Sequence, residues 1–108
     1  MKKLILITGD LATGKSTLAK KLSQSLNILH FTKDVLKEVL SDVIGFSNRQ
    51  ENKKLSIASV DIMKHIFTQY AFLEQDLILE ANFHKEEIEN LQNLANQHGY
   101  KVIILYLQ

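Results

Sequence analysis

The stretch GDLATGKST, residues 9 to 17, follows directly on the apolar run KLILIT, residues 3 to 8, and no other feature of the chain constrains its fold as much. An uninterrupted apolar run that stops at a glycine reads as a strand buried on both faces. Such strands belong to parallel sheets covered by helices. From Lys15 the period changes, and Leu18, Ala19, Leu22 and Leu26 recur at helical spacing, with Lys20, Lys21, Ser23 and Gln24 on the other face. Strand, tight loop and helix therefore follow one another without a break.

The loop satisfies G-x-x-x-x-G-K-[ST] through Gly9, Gly14, Lys15 and Ser16. Gly9 permits a sharp exit from the strand, and Gly14 lets the backbone approach a ligand where a side chain would collide. The amides of Asp10, Leu11, Ala12 and Thr13 can then turn inward towards an anion. The helix that follows adds about half a positive charge at its amino end. In this arrangement Lys15 is expected on the β and γ phosphates of a nucleotide, Ser16 on Mg²⁺ through its hydroxyl, and Thr17 on the α-phosphate side. A chance glycine loop is the plain alternative, and it does not explain the strand before and the helix after.

Further along, Ile28 to Phe31 reads as a second strand, and Val35, Leu36, Val39 and Leu40 begin a second helix. Gly45, with Ser41, Ser47 and Asn48 around it, marks a break. From Gln50 to Gln75 there is neither Gly nor Pro, and Leu55, Ala58, Ser59, Ile62, Met63, Ile66, Phe67, Tyr70 and Leu73 form a stripe that predicts one long helix. DLILEA, residues 76 to 81, predicts a third strand with Glu80 near its carboxyl end. His84 to His98 is helical, with Ile88, Leu91, Leu94 and Ala95 inward, and Gly99 suits the left-handed position after a helix. KVIILYL, residues 101 to 107, predicts a fourth strand.

The expected fold is α/β: a single domain over residues 1–108, with a parallel sheet of about four strands and helices on both faces. Ligands of such sheets bind at the carboxyl ends of the strands. Gly9, Thr32 to Asp34 and Glu80 to Asn82 all fall there and should face one crevice. Glu80 can hold a metal directly or through water, or merely cap or meet solvent. Two roles stand open for Asp34: general base towards an acceptor hydroxyl, or helix N-cap.

Several function classes are disfavoured. With 13 Lys and Arg against 12 Asp and Glu, the net charge of +1 gives no chain-wide basic field for nucleic acid. There is no cysteine, so no disulfide framework and no thiolate metal site, and the composition suits the reducing cytoplasm. His30, His65, His84 and His98 show no ligand spacing. The basic-then-apolar start is too short for a signal peptide, and no stretch reaches membrane-spanning length. The D-x-x-G and N-K-x-D elements of a regulatory GTPase are missing, as are the signature loop and paired acids of a transport or motor ATPase.

GDLATGKST, FTKDVLKEVL and LILEANF, in this order, resemble the P-loop kinase group that includes zeta-toxin-like, chloramphenicol phosphotransferase-like and polynucleotide kinase-like proteins. The resemblance spans nearly the whole chain and implies a three-layer P-loop fold, ATP with Mg²⁺, and transfer of the γ-phosphoryl to a hydroxyl-bearing acceptor. By it, Asp34 is the acceptor-side base, and Lys37 stands where relatives often carry an acceptor-binding arginine. Arg49, in the next loop, either serves a similar purpose or is a solvated charge, and Asn82 is a further acceptor-side candidate. An acceptor pocket is expected between the helix after Asp34 and the long helix. Members of the group normally continue into a lid helix with arginines, a fifth strand and a closing helix. Relative to that five-stranded core the sheet here is incomplete, which implies nucleotide binding with weak turnover and an open fourth strand that invites a second copy. The alternative to a kinase is a nucleotide-binding module acting through a partner or by self-association.

Overall fold

Four apolar runs and four amphipathic stretches become four strands and four helices in the computed structural model, which describes residues 2–10 and 13–108. β1 (Lys3–Gly9) leads through the glycine loop into α1 (Lys15–Leu26) and β2 (His30–Thr32). α2 (Lys33–Ile44) and α3 (Arg49–Phe72) follow, then β3 (Leu77–Glu80), α4 (Lys85–Gln97) and β4 (Lys101–Leu107). The sheet has the order β2-β3-β1-β4 and every pairing is parallel. The register sets Ile7 beside Glu80, Thr32 beside Glu80, and Gly9 beside Leu107, so the carboxyl ends of all four strands share one edge.

The central strands are apolar on both faces because both faces are covered. Leu4, Leu6, Leu77 and Leu79 pack with Met63, Phe67 and Ala71 of α3 and with Leu91 and Ala95 of α4. Ile5, Ile7 and Ile78 pack on the opposite face with Ala19 of α1, and Leu18 and Leu22 lie half-buried around them. One face thus carries two helices and the other a single helix of 12 residues. Completely burying a side chain such as Phe67 or Leu79 stabilises by about 1.5–3 kcal/mol.

The long apolar stripe forms one helix, but its buried line is Leu55, Ser59, Val60, Met63, Phe67 and Ala71. Leu73, expected inward, is the exposed C-cap of α3, and Leu26, the last member of the α1 stripe, is also exposed. Both lie where a helix runs past the sheet, so spacing continues while the surface to bury against ends. Of the apolar residues of α2 only Leu36 and Leu40 are half-buried, whereas Val35 and Val39 are exposed because α2 packs on α3 at the rim of the sheet. The Asn48 side chain accepts from Glu51 N at 2.8 Å and caps α3. Gly99 has φ +74, the left-handed turn expected after α4.

Candidate functional site

At the edge where the strands end, β1 must turn away through Gly9, whose φ is +139. A Cβ there would lie 2.0 Å from the carbonyl oxygen of Leu107, so the glycine is needed for the packing of β4 as well as for the turn. Gly14 is left-handed at φ +85 and is the N-cap of α1, with open space where a Cβ would project. Within the chain itself its requirement is conformational, since few side chains adopt that backbone.

Gly14 gives α1 no side-chain cap, and the first helical N–H groups have no acceptor within their own helix. They point with the positive end of the helix dipole towards the mouth of the loop. Lys15 Nζ donates to the carbonyls of Asp10, at 2.7 Å, and Gly9, at 3.0 Å, which holds the ammonium across the loop. Thr13 Oγ1 donates to Asp10 O at 2.7 Å and tightens the same turn. Leu11 and Ala12, expected to contribute amides, lie outside the described residues.

Glu80 ends β3 as a carboxylate 2% exposed, and Ser16 Oγ donates to its Oε1 at 2.8 Å. A hydroxyl and a carboxylate side by side form an all-oxygen donor set. It suits Mg²⁺, which takes one or two carboxylates and fills its remaining positions from phosphate and water. Among the described residues there is no cluster of three His, Cys, Asp or Glu that could hold a metal by itself.

A cavity of about 250 Å³ joins these parts, lined by Thr13, Gly14, Lys15, Ser16, Thr17, Asp34 and Glu80. Asp34 is exposed in the first turn of α2, inside the helix; the N-cap position is Thr32, which makes no side-chain capping bond, so Asp34 does not sit at the cap that was left open for it. Three candidates lie apart. Lys37 is half-buried one turn along α2, Asn82 is exposed after β3, and Arg49 opens α3 beyond the far end of α2; none of them lines this cavity.

The pocket expected between α2 and α3 is a groove of about 340 Å³ at Ile44, Gly45, Glu51, Lys54 and Leu55, at the end of α2 remote from Asp34. A larger cavity, about 460 Å³, lies between α3 and the start of α4, with Lys53, Ile57, Lys64 and His84 in its walls.

One residue escaped the sequence reading. Thr8, 1% exposed, accepts from Phe83 N at 3.0 Å and stitches the end of β1 to the segment following Glu80, beside the bond from Ala81 N to Ile7 O at 3.0 Å. A hydroxyl inside an apolar strand directly before the loop was its signal. Lys33, inside the 32–34 stretch expected at this edge, is buried at 8% exposed immediately before Asp34.

Comparison with solved structures gives the same architecture. A protein from Chloroflexus aurantiacus, described provisionally as a kinase, superposes with a TM-score of 0.90 at 31% identity, over 98% of this chain and 59% of its own. A mutant of the Mycobacterium tuberculosis APS kinase CysC follows with a TM-score of 0.71 at 19% identity, over 97% of this chain and 74% of that one. A gluconokinase from Sinorhizobium meliloti aligns with a TM-score of 0.65 at 10% identity, over 96% and 56% of the two chains. The latter two likenesses are of fold alone. The chain thus spans about three-fifths of the Chloroflexus protein's length. Comparison with curated proteins finds no match. The family model of the Zeta toxin matches residues 1–108, and with the loop, the four parallel strands and the kinase-like neighbours it places this chain in the Zeta toxin family of P-loop kinase-like proteins.

Proposed function

We propose that this chain is the nucleotide-binding and phosphoryl-transferring part of an ATP-dependent kinase that acts on an acceptor hydroxyl. The observation that carries this reading is the single cavity lined at once by Lys15, Ser16, Asp34 and Glu80, which come from three separate stretches of sequence. Phosphoryl transfer asks mainly for positioning and charge stabilisation, together with an oriented acceptor. The loop amides and the amino end of α1 bind the phosphates, and Lys15 leaves its two carbonyl partners to meet the β and γ oxygens. Ser16 and Glu80 hold Mg²⁺, which when bound neutralises charge developing between the phosphates. Asp34 accepts the proton of the attacking hydroxyl at its carboxylate. Lys37, Arg49 and Asn82 are the acceptor-side candidates, with Arg49 the most remote.

A second reading rests on a specific observation: among the described residues Lys15 is the one cation lining the cavity, and Arg49 is elsewhere. A nucleotide-binding module with little turnover would have this composition. Calorimetric titration with ATP and Mg²⁺, joined to phosphate incorporation from γ-labelled ATP into a panel of hydroxyl-bearing acceptors, separates the two. Binding with incorporation supports the kinase, binding without incorporation or ATP consumption supports the module, and absence of binding overturns both.

A further inference from the structure

Thr8 sets a hydroxyl inside an apolar strand, 1% exposed, one residue before the glycine at which the phosphate loop begins. Alternate residues of β1 serve its two neighbouring strands. Lys2 O accepts from Lys101 N at 2.9 Å and Asp10 N donates to Leu107 O at 3.3 Å, so the even-numbered residues turn their backbone groups towards β4. The odd-numbered residues turn towards β3, where Ile7 O accepts from Ala81 N at 3.0 Å. The next bond of this parallel ladder, two residues further along each segment, would run from Phe83 N to Gly9 O.

That bond is replaced at both of its ends. Phe83 N donates to Thr8 Oγ1 at 3.0 Å, and Gly9 O accepts from Lys15 Nζ at 3.0 Å. Phe83 is 7% exposed and belongs to the core, so its amide needs an acceptor within the chain. The Thr8 hydroxyl meets that need and releases the Gly9 carbonyl from the sheet. Gly9, at φ +139, then carries the backbone away from β3 and into the loop.

We infer that Thr8 is a positioning residue of the phosphate site: its hydroxyl ends the β1–β3 ladder after Ala81, frees the Gly9 carbonyl for Lys15, and holds open the fork at which the loop leaves the sheet. Glu80 stands at the root of that fork, in register with Ile7 and Thr32 and bonded to Ser16. Without the hydroxyl, the buried Phe83 amide takes the next acceptor in register, the Gly9 carbonyl. The first residue of the loop is then drawn against the 81–83 segment and away from Lys15. Valine keeps the shape of threonine without the acceptor, and serine keeps the acceptor without the methyl group, so the two variants separate bonding from packing. The consequence for nucleotide rests on the kinase reading above, whereas the exchange of hydrogen-bond partners does not.

Two measurements on Thr8→Val and Thr8→Ser test the role. In the nucleotide-free chain, a scalar coupling across a hydrogen bond from Phe83 N to the carbonyl carbon of Gly9 should be absent from the wild type, appear in Thr8→Val and be absent again in Thr8→Ser. By calorimetry, Thr8→Val should bind ATP with Mg²⁺ about 10-fold more weakly than the wild type, and Thr8→Ser should recover the affinity. A hydroxyl that only stabilised the fold would lower the melting temperature of Thr8→Val and move neither reading in the folded protein. Thr8→Ala, which also removes the acceptor, replaces the valine variant should that one fail to fold. A folded variant without the hydroxyl that lacks the Phe83–Gly9 coupling, or that binds nucleotide as the wild type does, overturns the role, as does a serine variant that behaves like valine. Absence of nucleotide binding by the wild type itself removes the kinase reading instead, and the coupling still decides whether Thr8 ends the ladder.

Discussion

At the amino end of the sheet, Tyr100 donates its hydroxyl to Gln75 O at 2.6 Å and packs its ring edge-on to Phe67, with centroids 5.0 Å apart. Beside it Asp76 Oδ1 accepts from Lys3 N at 2.7 Å. At the carboxyl end, Lys15 donates to loop carbonyls and Ser16 donates to a buried Glu80. The groups are of similar polarity, yet their partners differ in consequence. The amino-end bonds close the chain onto itself, and the cavity of about 310 Å³ beside Gln75 and Asp76 has no cation among its described lining residues. Those at the carboxyl end line a cavity, where phosphate oxygens and a hard cation can replace them. One end of the sheet therefore stabilises the fold, and the other keeps polar groups available for exchange.

Substitutions can break this contrast. The largest effect is expected from Asp34→Asn, which should lower phosphoryl transfer by about 10²–10⁴-fold while sparing ATP affinity, measured by comparing labelled-phosphate incorporation with calorimetry. Unchanged transfer would remove Asp34 from the base role. Lys15→Ala should weaken ATP binding about 100-fold with little change in melting temperature, since its present partners are loop carbonyls near solvent.

Glu80→Gln sharpens the comparison by separating stability from function. Among the described residues, only Ser16 donates to this buried carboxylate. Neutralising it should raise unfolding stability by about 1–2 kcal/mol in denaturant titrations, while the Mg²⁺ dependence of nucleotide binding disappears.

At the other end, Tyr100→Phe should cost about 1 kcal/mol at neutral pH, read from the same titrations. Burial, reinforced by the negative charges of Asp76 and Glu74, pushes the Tyr100 phenol above its ordinary value of 10.0. Folding favours the protonated phenol, so this contribution is complete below about pH 10 and is lost as pH rises from there through the native value. The phenylalanine variant should lose the alkaline slope together with the stability. The smallest effect belongs to Lys2→Ala, which removes an ion pair to Glu74 at 3.3 Å that is 74% exposed on the glutamate side. It should cost under about 0.5 kcal/mol and become undetectable in high salt.

Local pattern announced all eight elements. KLILIT, the α3 stripe and KVIILYL each state their period within a few turns of chain, because the face that an element buries repeats with its own geometry. The loop was equally plain, since the spacing from Gly9 to Ser16 is itself a backbone requirement. Placement against distant parts was harder to read. Leu26 and Leu73 continue a period and still face solvent, because no neighbour reaches that far. Thr8 looked like one more strand residue, and its bond to Phe83 N exists only because β1 and β3 are neighbours. Gly9 announced a turn and gave no hint that the Leu107 carbonyl would sit against it.

By itself, then, the amino-acid order settled what depends on neighbours along the chain: the strands and helices, and the left-handed turn at Gly99. The tertiary structure decided what depends on neighbours across space. It put β3 between β1 and β2, brought Glu80 to Ser16 and Asp34 to the same cavity, and left β4 at an edge. Sequence periodicity records which face of an element is buried and is silent about what lies against it. That second question is answered only when the sheet chooses its strand order, and with it the residues that meet.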